Sequence, residues 1–141
     1  MDFLSALNVS ASGLAAERER VDLATSNLAN AESTRGPDGL PYRRKDPVLE
    51  AVKFESALGE ASGEAGVGVQ VSRIAEDTTP GRKVYSPGHP DADADGFVTF
   101  PNVNPVHEVV NLMSAQRGYE ANATAVDTLK GMASRALDIT K

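Results

Sequence analysis

The sequence predicts a mainly α chain with a small β segment. Two long terminal helices pair as an elongated coiled-coil-like hairpin, with a short irregular β-rich middle region. Three observations predict this. Apolar residues recur at steps of three and four near both ends of the 141-residue chain. Seven of the eight prolines lie between Pro37 and Pro101, and the eighth is Pro105. Charge follows the same division: residues 1–31 sum to −2, residues 102–141 to zero, and residues 32–101 to −4. The ends are therefore helical and nearly neutral, and the middle is punctuated and acidic.

Asp2 is placed to cap the first helix and to set an acid at its positive end. Leu4, Leu7, Ala11, Leu14, Arg18, Val21, Thr25 and Leu28 then form a heptad seam, polar at Arg18 and Thr25. The helix is expected to end near Asn30, because Ser33, Thr34, Gly36 and Pro37 follow. In the middle, 47–52 and 67–74 read as strands. The second alternates, with Val67, Val69 and Val71 on one face and Gly68, Gln70 and Ser72 on the other. Residues 55–66 carry Gly, Ala, Ser and Glu without period and read as a flexible loop. Residues 83–85 and 96–99 are short strand candidates whose register the sequence leaves open.

Asn104 and Pro105 open the last helix as N-cap and first helical residue. Leu112, Ala115, Tyr119, Ala123, Val126, Leu129, Ala133 and Leu137 continue it as one apolar stripe. Gly118 and Gly131 interrupt this helix at up to about 1 kcal/mol each. They mark either close approach of another backbone or tolerated exposed positions. Helices of thirty and thirty-five residues span roughly 45 and 52 Å. A compact chain of this length is only about 37 Å across, so these helices suit an elongated assembly protein better than a small globule.

Composition narrows the function. The chain has no cysteine, which excludes a disulfide scaffold, a thiolate nucleophile and Cys-ligated metal. Its net charge of −6 is the reverse of a nucleic-acid binder's. No apolar run of about 20 residues is present. The start, Met1-Asp2, lacks the basic n-region of a cleaved signal. Only seven aromatic residues and no Trp imply a thin core of Leu, Val and Ala.

The sharpest chemical motif is Asp91-Ala92-Asp93-Ala94-Asp95-Gly96-Phe97-Val98, which matches the first half of a calcium loop. The twelfth position is Asn102 instead of a bidentate Glu, and Pro87, Pro90 and Pro101 forbid the flanking helices. A solvated acidic turn is the preferred reading. His89 and His107 are the only histidines, and neither stands in a nucleophile or metalloprotease motif. No catalytic, cofactor or metal residue is therefore assigned. Arg43-Arg44-Lys45 after Tyr42 could grip phosphate or RNA, but reads better as a strand edge or an interface ion-pair set.

Ser26-Asn27-Leu28-Ala29-Asn30-Ala31-Glu32-Ser33-Thr34-Arg35-Gly36 resembles the N-terminal signature of the bacterial flagellar rod and hook proteins. That signature reads Ser-Asn-Asn-Leu/Ile-Ala-Asn-x-x-Thr. This chain has one Asn where two are usual and one extra residue before Thr34. Three further stretches resemble the proximal-rod branch of the family. They are residues 39–45, residues 89–98, and 101–106 with its continuation through Glu108, Asn111, Met113, Gln116, Arg117, Tyr119, Glu120, Ala121 and Asn122. The likeness covers nearly the whole chain; residues 55–66 match least, and His107 and Gly118 depart from the pattern.

The resemblance implies a structural subunit of the periplasmic rod that transmits motor torque. It implies export by the flagellar type III apparatus without a cleaved signal, and no enzyme activity or cofactor. Residues 1–31 and 102–141 would form an axial helical core, with 32–101 outside it. The implied partners are copies of the chain, other rod proteins, the inner-membrane ring and the base of the export apparatus, with no nucleic acid or small-molecule substrate. The residues expected to bury against neighbours are Leu7, Leu14, Val21, Leu28, Asn30, Leu112, Tyr119, Val126, Leu129 and Leu137. In the free chain the ends are expected to be largely disordered and to order on assembly. The alternatives are a cytoplasmic coiled-coil adaptor or chaperone-like module, or another rod or hook subunit.

Overall fold

The structure, a computed structural model, describes residues 3–54 and 66–139. Helix α1 runs Phe3–Ala29 and helix α2 runs Pro105–Ile139. Between them, β1 (Lys45–Phe54) pairs with β2 (Gly66–Glu76), and β3 (Lys83–Tyr85) pairs with β4 (Phe97–Thr99). The chain is thus mainly helical with a small β segment. The Asp2 cap and residues 55–65 of the expected loop lie outside the described residues. Gly66, read as the end of that loop, instead begins β2.

The ends of both helices follow from local chemistry. Asn104 Oδ1 accepts the N–H groups of Val106 at 3.0 Å and His107 at 3.5 Å, so the predicted cap forms. At the close of α1, Asn30 Nδ2 donates to the Ser26 carbonyl at 2.9 Å and Asn30 Oδ1 accepts the Ser33 hydroxyl at 3.1 Å. These bonds satisfy groups left over at a helix end.

β1 and β2 extend beyond 47–52 and 67–74. Pro47 lacks a donor, but a two-stranded sheet has only edges, so its presence does not stop the pairing. Just past the strand, the Asp77 N–H donates to the Arg44 carbonyl at 2.8 Å. β3 and β4 are antiparallel, with Lys83 opposite Thr99, Val84 opposite Val98 and Tyr85 opposite Phe97. The Tyr85 and Phe97 rings meet edge to face at 5.3 Å, and Val98 is fully buried.

Contacts divide the chain into two units, Met1–Glu19 with Val48–Arg73 and Ser114–Lys141, and Arg20–Pro47 with Ile74–Met113. In the first unit the helices approach through reciprocal glycines. A Cβ on Gly13 would stand 2.8 Å from Asn122 Nδ2, and one on Gly118 would stand 2.8 Å from Glu17 Cδ. The two pairs fix an antiparallel register. Gly118 therefore serves close approach, whereas a Cβ on Gly131 would meet nothing within 4 Å. β2 enters the same unit against α1, where a Cβ on Gly66 would collide with the Ser5 hydroxyl. This close approach explains an inversion at the start of β2: Gly66 and Gly68 are buried, and Val67, expected to share a face with Val69 and Val71, is exposed while those two are half-buried.

Among the described residues the buried apolar side chains are few: Ala16, Leu23, Ala24, Val98, Pro101 and Ala115. Three of them lie on α1, but none belongs to the predicted seam. Along that seam Leu7, Leu14, Val21 and Leu28 are half-buried, and Leu4, Ala11, Arg18 and Thr25 are exposed. Small side chains let the helix seat closely on its own chain, so the Ala16–Leu23–Ala24 face turns inward and the leucine seam stays partly open. On α2 the predicted stripe does hold the buried residue, Ala115.

Candidate assembly surface

In the second unit one polar cluster ties together the end of α1, the start of β1 and the start of α2. Asn27 is 1% exposed and uses its whole amide. Its Nδ2 donates to the Lys45 carbonyl at 2.8 Å and to Glu108 Oε2 at 3.0 Å. Its Oδ1 accepts the Lys45 N–H and the Tyr42 hydroxyl, each at 2.9 Å. Glu108 is equally buried, and its Oε1 accepts Arg44 Nε at 2.6 Å.

Arg44 is the hinge of this cluster. Its guanidinium also pairs with Asp46, and its backbone N–H donates to Asn102 Oδ1 at 2.9 Å. Asn102 in turn donates to the Asp77 carbonyl at 3.1 Å. Burial alone would lower the Arg44 pKa; the hydrogen bonds and charges of Glu108 and Asp46 outweigh it, and the group lies above its ordinary value. The Asp77 carboxyl is held below the usual carboxylate range by the Thr79 hydroxyl and N–H. Every buried side-chain polar atom among the described residues has a partner. A buried carboxylate is tolerated only when paired and hydrogen-bonded in this way.

Sequence reading missed this cluster. Arg44 turns inward, whereas Arg43 is exposed, so the basic triplet is not one surface. Nothing in apolar periodicity marks Asn27 or Glu108 as interior. The available signal was the polar residue at a helical position where the α1 sequence closes into a loop.

The remaining motifs are structural. Asp91 accepts the Thr34 hydroxyl at 2.8 Å and lies 3.4 Å from the Arg35 guanidinium. Asp93 Oδ1 accepts the N–H groups of Asp95 at 3.0 Å and Phe97 at 2.8 Å, while Gly96 takes φ 80°. These are the bonds of a tight turn. Among the described residues no group of three or more His, Asp or Glu side chains is placed to hold a metal ion. His107 is exposed at the start of α2, and His89 Nδ1 accepts the Asp91 N–H at 3.1 Å.

The expected interface residues are spread along both helices and do not converge on one point. Leu7, Leu14, Val21, Leu28, Asn30, Leu112, Val126 and Leu129 are half-buried, and Tyr119 and Leu137 are exposed. Within α1 no described residue before Ala16 is buried, and within α2 none after Ala115 is. The outer halves of both helices thus carry apolar side chains that the described residues leave exposed or half-buried. Val106, Val110 and Met113 add an exposed apolar run on α2.

Two family profiles match these regions. Residues 7–37 match "Flagella basal body rod protein", and residues 94–139 match "Flagellar basal body rod FlgEFG protein C-terminal". The chain is 47% identical over 150 residues to the flagellar basal-body rod protein FlgC of Bacillus subtilis, covering 100% of both. It is 44% identical over 139 residues to FlgC of Salmonella typhimurium, covering 99% of this chain and 98% of the relative. FlgC of Aquifex aeolicus is 42% identical over 142 residues, with 100% and 99% covered.

Proposed function

The chain belongs to the flagellar basal-body rod protein family and is a structural rod subunit, and from that premise we propose that it occupies the proximal rod. There it polymerises through its terminal helices into the periplasm-crossing shaft that carries motor torque. Its partners in this reading are further copies, other rod proteins, and the inner-membrane ring with the export apparatus base. It is exported without a cleaved signal and performs no catalysis. Residues 1–31 and 102–141 act as the axial helical core, and 32–101 as the outer segment.

The observation that supports this most is the uncovered apolar surface on the outer halves of both helices. The described residues of one copy leave it open, whereas neighbours in an open head-to-tail assembly can cover it. Many small helix contacts of this kind make a stiff tube without one dominant bond.

Electron microscopy of envelopes from a strain lacking this gene, beside a complemented control, tests the placement. Inner-membrane rings without a rod are expected; complete rods and hooks would refute it. Leu14→Glu or Val126→Glu should abolish swimming while leaving expression intact. Normal motility in either variant would remove the helix stripes from the interface.

A further inference from the structure

The outer half of α1 meets the start of β2 along one face of the helix. Ser5, Val9 and Ser12 follow one another at steps of four and three, so they share that face. Ser12 Oγ donates to the Val9 carbonyl at 2.7 Å and accepts the Val69 N–H at 3.1 Å. The hydroxyl thus gives a β2 backbone donor a partner on α1. Gly66 and Gly68, on one face of β2, are both buried. A Cβ at 66 would collide with the Ser5 hydroxyl and stand 3.1 Å from Val9 Cγ2, so only glycine lets the strand seat this closely.

Each side of this contact is marginal by itself. No described residue of α1 before Ala16 is buried, and a helical stretch of that length has little stability in water without tertiary cover. β1 and β2 make a two-stranded sheet, and an isolated pair of strands is marginal as well. The contact needs both: helical turns that align Ser5, Val9 and Ser12, and an extended strand that carries Gly66 past them. Leu7 and Leu14 lie half-buried on the same stretch of α1. A neighbour that covers them stabilises the helix and, with it, the seat of β2.

We propose that the start of β2 is a strap that closes on the outer half of α1 when the chain enters the rod, with Ser12 as its catch. The inference rests on the rod-subunit reading and adds to it a coupling within one copy. Neighbours that cover α1 order the helix, and the ordered helix seats the strap. The coupling is reciprocal, so a seated strap holds Leu7 and Leu14 ready for neighbours.

The absence of cysteine makes closure directly readable. Ser5 Cβ lies 3.5 Å from where a Cβ at 66 would stand, within the span of a disulfide. The full-length chain carrying both Ser5→Cys and Gly66→Cys is expressed in a strain lacking the native gene. It is reduced and then oxidised, both as the purified free chain and in isolated basal bodies. A disulfide within one chain is expected to form at least about tenfold faster in basal bodies. Equal rates, no bond in basal bodies, or bonds between chains would overturn the proposal. Absence of the unmodified chain from basal bodies would instead refute the rod reading on which it rests. Ser12 supplies a second measurement that needs no cysteine. In assembled rods, Ser12→Ala should speed hydrogen exchange of the Val69 amide and of residues 5–12 by about fivefold, and Ser12→Thr, which keeps the hydroxyl, should not. Unchanged exchange in Ser12→Ala, or an equal rise in both variants, would also overturn the proposal.

Discussion

Replacing Asn27 with Ala removes four hydrogen bonds at one point: two donated, to Lys45 and Glu108, and two accepted, from Lys45 and Tyr42. At about 1 kcal/mol each the sum is roughly 4 kcal/mol, and the bonds share neighbours, so about 3 kcal/mol is the expected loss. Glu108 keeps Arg44, which limits the damage; the Lys45 backbone N–H and carbonyl lose the Asn27 amide. Against a typical total of about 5–15 kcal/mol this is a large fraction. Urea unfolding of the purified chain, followed by circular dichroism, measures it. With a slope of about 1.5 kcal/mol per M, the midpoint should fall by roughly 2 M. Asn30→Ala is the control. Its side chain bonds only Ser26 and Ser33 nearby in the chain, and it should cost about 1 kcal/mol. A double-mutant cycle of Asn27→Ala with Glu108→Ala should give a coupling of at least about 1 kcal/mol. Equal midpoints for Asn27→Ala and Asn30→Ala, or no coupling to Glu108, would refute the view that this cluster organises the junction.

Three further outcomes follow from individual residues. Gly131→Ala should favour the helical form of the fraying outer half of α2 by up to about 1 kcal/mol, because the new Cβ meets open space in a helix interior, and should not lower the stability of the free chain. Gly96→Ala should lower it by about 1 kcal/mol or more, because φ is 80° and the Cβ would stand 2.9 Å from the Tyr85 ring; thermal melts of both variants check the signs. The lowered Asp77 pKa means the folded chain holds that proton less tightly than the unfolded chain. Its contribution is complete above the ordinary Asp value and is lost as pH falls through the lowered folded value, so Asp77→Asn should flatten that part of an acid-stability profile. Hydrogen exchange in the free chain should be fast over 3–15 and 116–138 and slow over 104–115, with the outer regions becoming protected in assembled rods; uniform protection in the free chain would count against ordering on assembly.

The helices, the Asn104 cap of α2 and the four strands were legible because each rests on local chemistry. Asn104 and Pro105 need only their own neighbours to start a helix, and 83–85 and 97–99 need only a turn between them. The inward face of α1 was not legible. A heptad of leucines scores higher in any apolar pattern than Ala16 and Ala24, yet close seating favours the small residues. Gly118 and Gly131 show the same limit: identical in type and both within α2, they differ because Glu17 faces one and solvent the other. The Asn27–Arg44–Glu108 cluster brings together residues up to 81 apart in sequence, and no periodicity encodes such a meeting.

These two findings, a thin apolar core and a fully bonded polar junction, have one physical explanation. An apolar stripe buried within the single chain would add to the stability of the monomer and leave little surface to drive polymerisation. In the proposed assembly, leaving the leucine seam partly open transfers that stabilisation to the contact with neighbours, where it grows with subunit concentration. Something else must then hold the chain in the one conformation that neighbours recognise. Buried polar clusters suit that role, because a misplaced partner leaves an uncompensated charge, whereas a misplaced leucine still finds apolar cover. On this argument Asn27, Arg44 and Glu108 set the register of each copy, and the outer helix halves supply the adhesion between copies. Disrupting the first should yield subunits that are made but cannot enter a rod. Disrupting the second should yield subunits whose Asn27 junction still forms but which do not adhere.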